Sequence, residues 1–276
     1  MTNTDHKTKS LDAINKNDAI QIKQAITQVC DSYNITCLHA IESGSRAWGF
    51  ASPDSDYDVR LLYCHPLNWY LNLFDNKDTF EFIEEDLLSV PFDIGGWDIK
   101  KALTLIYKSN AVIFEWLHSP ITYQQRSELI DILKIISLEY FKPITVFHHY
   151  QGMAKTASIG LDLTASIKLK KLFYLLRALL AAKWVITYET PPPVVMSEMF
   201  ELISDEAQSA ILQLIELKSS CDERHTLHIS LLLQNAIAQL WTDIDQPVFK
   251  EKPKADATAL NEFFQQVLYT VKVLRK

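Results

Sequence analysis

The chain has 276 residues, of which 48% are hydrophobic and 22% are charged. This composition is that of a folded globular protein and excludes extended intrinsic disorder. A net charge of −7 excludes a uniformly basic nucleic-acid-binding protein, and only 6 glycines in the whole chain argue against a turn-rich β-sandwich. The length predicts about two domains.

The start of the chain and its cysteines indicate where the protein works. Residues 1–17 are polar and predict a flexible N-terminus without the apolar core of a signal peptide. The most apolar stretch, residues 172–186, contains Arg177 and Lys183 and is too short and too charged to span a bilayer. The four cysteines form no Cys-x-x-Cys pair, which favours reduced thiols. These features predict a cytoplasmic protein that binds no membrane.

Strand and helix patterns alternate along the first part of the chain. Helical apolar spacing begins at Asp18, and strands are predicted at residues 36–42, 57–64, 79–84 and 92–97. Gly95 and Gly96 weaken the last of these strands or introduce a bulge. Asp98 then stands in position to cap a helix over residues 99–108.

The rest of the chain is dominated by helical patterns. These are expected at residues 111–118, 124–138, 143–158, 166–186, 205–219, 226–242 and 257–274. We therefore predict an α+β fold, with a small mixed β-sheet domain at residues 18–122 followed by an all-helical domain at residues 123–276. A cleft between the two domains is the expected place for an active site.

Positive charge is concentrated in one segment of this acidic protein. Residues 141–190 contain seven Lys or Arg residues and two acidic residues, a net charge of +5. Such an asymmetry permits a local contact with an anionic ligand although the whole chain is acidic.

The segment from Gly44 to Asp58 carries the clearest chemical pattern. Gly44 lets the backbone turn sharply, and Ser45 offers a hydroxyl and a backbone N–H to an anion such as phosphate. Ten residues later, Asp56 and Asp58 stand at alternate positions at the start of a predicted strand. Alternation places both carboxylates on one face, where they repel each other unless a cation such as Mg²⁺ lies between them. A phosphate-binding turn beside a pair of metal ligands predicts phosphoryl-transfer chemistry.

This segment resembles the signature of the DNA polymerase β-like nucleotidyltransferase superfamily, in which Gly-Ser is followed after about ten residues by Asp-x-Asp. The wider chain, over roughly residues 35–190, resembles the bacterial predicted nucleotidyltransferases associated with RNA repair. The resemblance implies transfer of a nucleoside monophosphate from an NTP, with ATP the expected donor, to a hydroxyl acceptor. It also implies two Mg²⁺ ions, or Mn²⁺ in their place, and release of pyrophosphate.

The superfamily implies a third metal-binding carboxylate on a later strand. Asp93 and Asp98 are the candidates, and a separation of five residues on a regular strand places them on opposite faces. We favour Asp98, because it ends the strand within the Gly-Trp-Asp block that resembles the family. Asp93 remains the alternative, because a bulge at the glycine pair would change which residue faces the site.

Nucleotide-binding residues are expected at the turn and on one helix. At the turn they are Gly44, Ser45 and Arg46. On the helix, Lys170, Tyr174 and Arg177 share one stripe, and a guanidinium in so apolar a helix requires an anionic partner. We expect all three helix residues to face Ser45 and Asp56 across the cleft. Glu115, in a short apolar helix, is expected to orient Arg46 or a lysine near the site.

The acceptor remains open at this stage. An RNA terminus, a protein and a small molecule are all compatible with the motif, and a non-catalytic nucleotide-binding or interaction module is the alternative from another class. The intact Asp56 and Asp58 pair argues against that last alternative, because binding alone requires no close pair of carboxylates.

Overall fold

The computed structural model describes residues 14–84, 91–250 and 255–274. Its five longer strands form one sheet in the order β3-β4-β2-β1-β5, and two short strands form a separate ribbon. The strands are β1 Thr36–Glu42, β2 Tyr57–Cys64, β3 Thr79–Glu84, β4 Phe92–Asp98, β5 Thr122–Gln125, β6 Ile167–Lys168 and β7 Thr226–Leu227. In the large sheet only β2 and β4 run parallel, so the sheet is mixed.

Helices account for most of the remaining described residues. A 3₁₀ helix, Met196–Leu202, lies between the eighth and ninth α-helices. The α-helices are α1 Lys16–Ser32, α2 Gly44–Trp48, α3 Leu67–Tyr70, α4 Ile99–Tyr107, α5 Ala111–Leu117, α6 Ser127–Glu139, α7 Pro143–Ser158, α8 Leu169–Tyr188, α9 Asp205–Ser219, α10 Leu231–Asp243 and α11 Thr258–Leu274. None of the helices in the described part of the chain has the length and apolarity needed to cross a membrane.

The sheet separates two hydrophobic cores. On one face, α1 places Ile22 and Ile26 against Val59 and Ile94 of the strands. On the other face, residues such as Leu62 join a larger core that continues through the helices to the end of the chain. Helix α8 lies at the centre of this larger core, where it packs on α7 and α10. A helix buried on most sides must be apolar nearly all round, as the sequence of α8 is.

The structure confirms the predicted α+β class and the positions of the four main strands. The boundary predicted between residues 122 and 123 falls inside β5, which pairs with β1, so the sheet extends to Gln125. The C-terminal helix α11 also returns to contact α4 and β2. The division into two domains therefore stays a prediction, because one core runs through both parts.

Two local expectations are changed by the structure. Residues 1–13 of the predicted flexible N-terminus lie outside the described residues, but Ile14 is buried and α1 begins at Lys16. Strand β4 has no bulge at its glycines, since its pairing with β2 runs in unbroken register. Gly96 is explained by packing, because a Cβ there would lie 2.5 Å from the ring of Phe80.

Candidate active site

The Gly44 turn and Asp58 are built against each other. Strand β1 ends at Glu42, and the Ser43 N–H donates to the Asp58 carbonyl at 2.8 Å. Gly44 has a φ of +62°, and a Cβ at this position would lie 2.2 Å from the Asp58 Oδ2 atom. Glycine is therefore required here both by its backbone conformation and by the close approach of a carboxylate.

Arg46 holds the loop that carries Asp56. Its guanidinium donates to the carbonyls of Ser55 and Asp56 and lies 4.0 Å from the centre of the Tyr57 ring. These contacts fix the backbone immediately before β2. Arg46 is thus close to the carboxylate pair, as expected of a nucleotide-binding residue, but its contacts in this structure are made to the loop.

The parallel pairing of β2 and β4 places Asp93 directly beside Asp58. Arg60, two residues after Asp58 and on the same face, joins the two. Its Nη2 atom lies 3.3 Å from Asp58 Oδ1 and 2.9 Å from Asp93 Oδ2. Asp56, just before the strand, is exposed beside them. The carboxylates that the structure brings together are therefore Asp56, Asp58 and Asp93.

The prediction that Asp98 is the third carboxylate of this group is wrong. Asp98 is completely buried at the other end of β4, where it accepts hydrogen bonds from Lys100 N at 2.8 Å and Tyr70 Oη at 2.7 Å. His65 Nδ1 lies 3.1 Å from the same carboxylate. Because β4 is regular, residues five apart face opposite sides, and the face of Asp58 is the face of Asp93. Asp98 instead performs the helix-capping role that its position also predicted.

The charges around these carboxylates favour a bound cation. Burial and the repulsion of the nearby Glu223 carboxylate raise the pKa of Asp56. Burial also raises the pKa of Asp58 against the opposing charge of Arg60, and the carboxylates of Asp93 and Asp56 add to the rise. A cation bound between these groups would reverse the effect of their mutual repulsion.

A buried carboxylate, Glu42, supports the site from below. Its oxygens accept hydrogen bonds from Asp58 N at 2.9 Å and from Tyr123 Oη at 2.7 Å. Burial nevertheless raises the pKa of Glu42 to about 7. Glu42 therefore fixes the backbone at Asp58 rather than facing solvent, and it was not identified from the sequence.

The donor set fits a hard divalent cation, although the described residues contain no preformed group of three metal-binding side chains. Asp93 Oδ1 is buried without a hydrogen-bond partner, which leaves one carboxylate oxygen available as a ligand. The Arg60 guanidinium supplies the positive charge between Asp58 and Asp93 in this structure. Carboxylate oxygens are ligands that Mg²⁺ prefers, so Asp56, Asp58 and Asp93 are the residues that would hold it.

Helix α8 contributes two of its three predicted residues to this region. Lys170 Nζ lies 2.6 Å from Glu223 Oε2, and its charge acts on both Asp56 and Asp58. Tyr174 packs edge-on against Trp48, with ring centres 5.3 Å apart. Both residues therefore lie on the side of the helix that approaches the motif.

Arg177 does not face the cleft, and this part of the prediction is wrong. It is buried, and its Nη2 atom lies 3.0 Å from Glu115 Oε1. The same carboxylate group accepts hydrogen bonds from Tyr150 Oη at 2.6 Å and from Trp48 Nε1 at 3.2 Å. The anion that Arg177 requires is therefore Glu115, which pairs with this arginine rather than orienting Arg46 or a lysine.

Two residues from distant parts of the sequence complete the motif loop. Lys218, buried at the end of α9, donates to Ser52 Oγ at 3.2 Å. Glu223 accepts from Ser55 Oγ at 3.3 Å, and its own backbone N–H donates to the Asp54 carboxylate. Sequence reasoning missed both residues, because nothing in their local pattern points to a segment about 170 positions away.

Comparison with known proteins agrees with this geometry. Residues 19–266 match RlaP, described as the RNA repair pathway DNA polymerase beta family. The chain belongs to this family. It is accordingly a nucleotidyltransferase of the polymerase β-like type.

Two individual proteins illustrate the relationship. The uncharacterized protein YcgL of Bacillus subtilis (strain 168) is 36% identical over 205 residues, which cover 74% of this chain and 77% of that protein. A nucleotidyltransferase-like protein from Exiguobacterium sibiricum 255-15 has a solved structure with 13% identity and a TM-score of 0.31. It covers 81% of this chain and 74% of that one. That TM-score is too low for the likeness to bear on the fold.

Proposed function

We propose that this RlaP family member transfers a nucleoside monophosphate from an NTP to a hydroxyl at an RNA end, with Mg²⁺ as cofactor. The observation that carries the proposal is the pairing of Asp58 and Asp93 in one register beside the Gly44 turn. The family description supports RNA as the acceptor. ATP is the expected donor, as the sequence resemblance implies.

The proposed roles follow from the positions of the side chains. Asp56, Asp58 and Asp93 would hold Mg²⁺, which supplies positive charge against the phosphates of the NTP. Ser45, at the start of α2, and Lys170, across the cleft, would bind the β- and γ-phosphates. Arg46 would keep the Asp56 loop in place through the carbonyls of Ser55 and Asp56.

The reaction forms one bond and breaks one bond at the α-phosphorus. The acceptor hydroxyl oxygen bonds to this phosphorus, and the bond from the phosphorus to the bridging oxygen of the β-phosphate breaks. Pyrophosphate leaves with the bonding electrons. The hydroxyl proton passes to a carboxylate, for which the unpartnered Oδ1 atom of Asp93 is the best-placed acceptor.

The direct test is a transfer assay with the full chain, Mg²⁺, each of the four labelled NTPs in turn, and an RNA with a free 3′-hydroxyl. We expect label to enter the RNA with release of one pyrophosphate per nucleotide added. Asp56→Asn and Asp58→Asn should each lower the rate by roughly 100-fold or more, because each removes charge at the transition state.

Asp31→Asn, an exposed carboxylate on α1, is the matched control and should keep the wild-type rate. Wild-type turnover in both Asp56→Asn and Asp58→Asn would refute the proposed site. Transfer to a protein or a small molecule, with none to RNA, would refute the proposed acceptor.

A further inference from the structure

A lysine-lined cavity adjoins the site and has no role in the chemistry described so far. It has a volume of about 510 Å³ and lies between the end of α7 and the beginning of α8. Three lysines line it, Lys168, Lys170 and Lys171, together with the apolar side chains of Met153 and Ala157 and the ring of Tyr174. We call this cavity the lysine pocket. No carboxylate is among its lining residues.

The lysine pocket is continuous with the candidate active site. Lys170 and Tyr174 belong to its lining, and these are the two residues of α8 that approach the motif. The charge of Lys170 acts on Asp56 and Asp58, and Tyr174 packs against Trp48 of α2. A ligand that reaches the carboxylates can therefore extend past these two side chains into the pocket.

The positive charge of the lysine pocket is largely unpaired. Lys168 is exposed and makes no side-chain hydrogen bond or ion pair with any described residue. The ammonium of Lys171 donates to the carbonyl of Ile159 and has no carboxylate partner among the residues that the structure covers. The backbone of Lys168 is nevertheless fixed, because β6 pairs with β7. Fixed cations without anions in an otherwise acidic protein indicate an anionic ligand.

We propose that the lysine pocket binds the RNA strand that carries the acceptor hydroxyl, through at least one backbone phosphate and one base. This inference rests on the proposed function. A single NTP carries one triphosphate, and the Gly44 turn with Lys170 already accounts for it. Lys168 and Lys171 are further cations, and the pocket adds an apolar, ring-sized surface at Met153 and Tyr174. Cations beside surfaces for base stacking are what single-stranded RNA requires.

The test measures RNA and NTP binding separately in the full chain. The probe is a fluorescently labelled single-stranded RNA of about 12 nucleotides, titrated by anisotropy without NTP. Lys168→Gln with Lys171→Gln should weaken RNA binding roughly 5- to 30-fold and reduce the slope of log affinity against log salt by about 1.4, since two phosphate contacts are lost. NTP affinity should change by less than about twofold, because neither lysine is needed for the triphosphate.

Lys23→Gln with Lys272→Gln removes the same charge from exposed positions on α1 and α11 and should leave RNA affinity close to wild type. In the transfer assay, the pocket variant should raise KM for RNA while kcat at saturating RNA is retained. Equal RNA binding by the two double variants would overturn the proposal. A loss of NTP binding without loss of RNA binding would also overturn it, because the pocket would then belong to the nucleotide. If wild type transfers nothing, the proposed function fails, but the anisotropy comparison still decides the role of the pocket.

Discussion

At the scale of single residues, the two candidate carboxylates of β4 have opposite surroundings. Asp93 faces Asp58 and keeps one oxygen without a partner, whereas Asp98 is buried with hydrogen bonds from a backbone N–H and a tyrosine. Asp93→Asn should therefore abolish nucleotidyl transfer with little change in the free energy of unfolding. Asp98→Asn should instead cost about 1.5–3 kcal/mol of stability and retain kcat. Chemical denaturation and the transfer assay measure the two effects, and the reverse pattern would restore Asp98 to the site.

A second residue-scale prediction concerns Gly44. Gly44→Ala places a methyl group against the Asp58 carboxylate at a positive φ, so we expect loss of transfer as well as of stability. Gly160→Ala is the matched control, because Gly160 has a φ of +64° but nothing within 4 Å of its Cβ position. Each should lose roughly 1–2 kcal/mol through backbone strain. Only Gly44→Ala should lose activity, and equal activity in the two variants would contradict the geometry of the turn.

At the scale of elements, a buried ion pair joins α5 to α8. Removing one partner leaves an uncompensated charge in the core, so Glu115→Gln and Arg177→Met should each cost about 3–5 kcal/mol of stability. The double variant should be more stable than the sum of the two single losses predicts, because neither charge is then left alone. A double-mutant cycle by denaturation measures this coupling. NTP affinity of the folded fraction should not change, and a selective loss of NTP binding would return Arg177 to the substrate site.

At the scale of the whole molecule, stability should depend on pH through His39. This residue is buried in β1, and neither ring nitrogen has a hydrogen-bond partner of good geometry among the described residues. Burial, with the charge of Lys134, lowers the pKa of His39 from 6.5 to about 4. The unfolded chain therefore takes up the proton first as the pH falls. The stabilisation is complete above pH 6.5 and is lost toward pH 4.

The size of this effect follows from the pKa difference. Between pH 7.5 and pH 5, His39 should account for a loss of about 2 kcal/mol in the free energy of unfolding. Glu42 acts in the opposite direction, because its pKa is raised by burial, so the comparison must be made between variants. His39→Leu should remove the His39 component and flatten the acid side of the stability curve. An unchanged difference between the two pH values would show that His39 is not the group responsible.

The local sequence was sufficient for the elements and for the motif. Strands β1 and β2 and the helices after Asp98 follow from apolar periodicity, because the period of a strand or helix is written in a few successive residues. The Gly44 turn and the pair Asp56 and Asp58 are likewise contiguous. Their shared face follows from strand alternation, and the resemblance that they carry agrees with the family of the chain.

Only the tertiary structure decided which distant groups meet. The choice of Asp93 over Asp98 depended on the unbroken register between β2 and β4, and the glycine pair made that register ambiguous in the sequence. The partner of Arg177 is Glu115, and the contacts of Lys218 and Glu223 join the end of α9 to the motif loop. Such pairings depend on how helices and strands pack in space, and a linear pattern encodes the period of each element but not the neighbour that it finds.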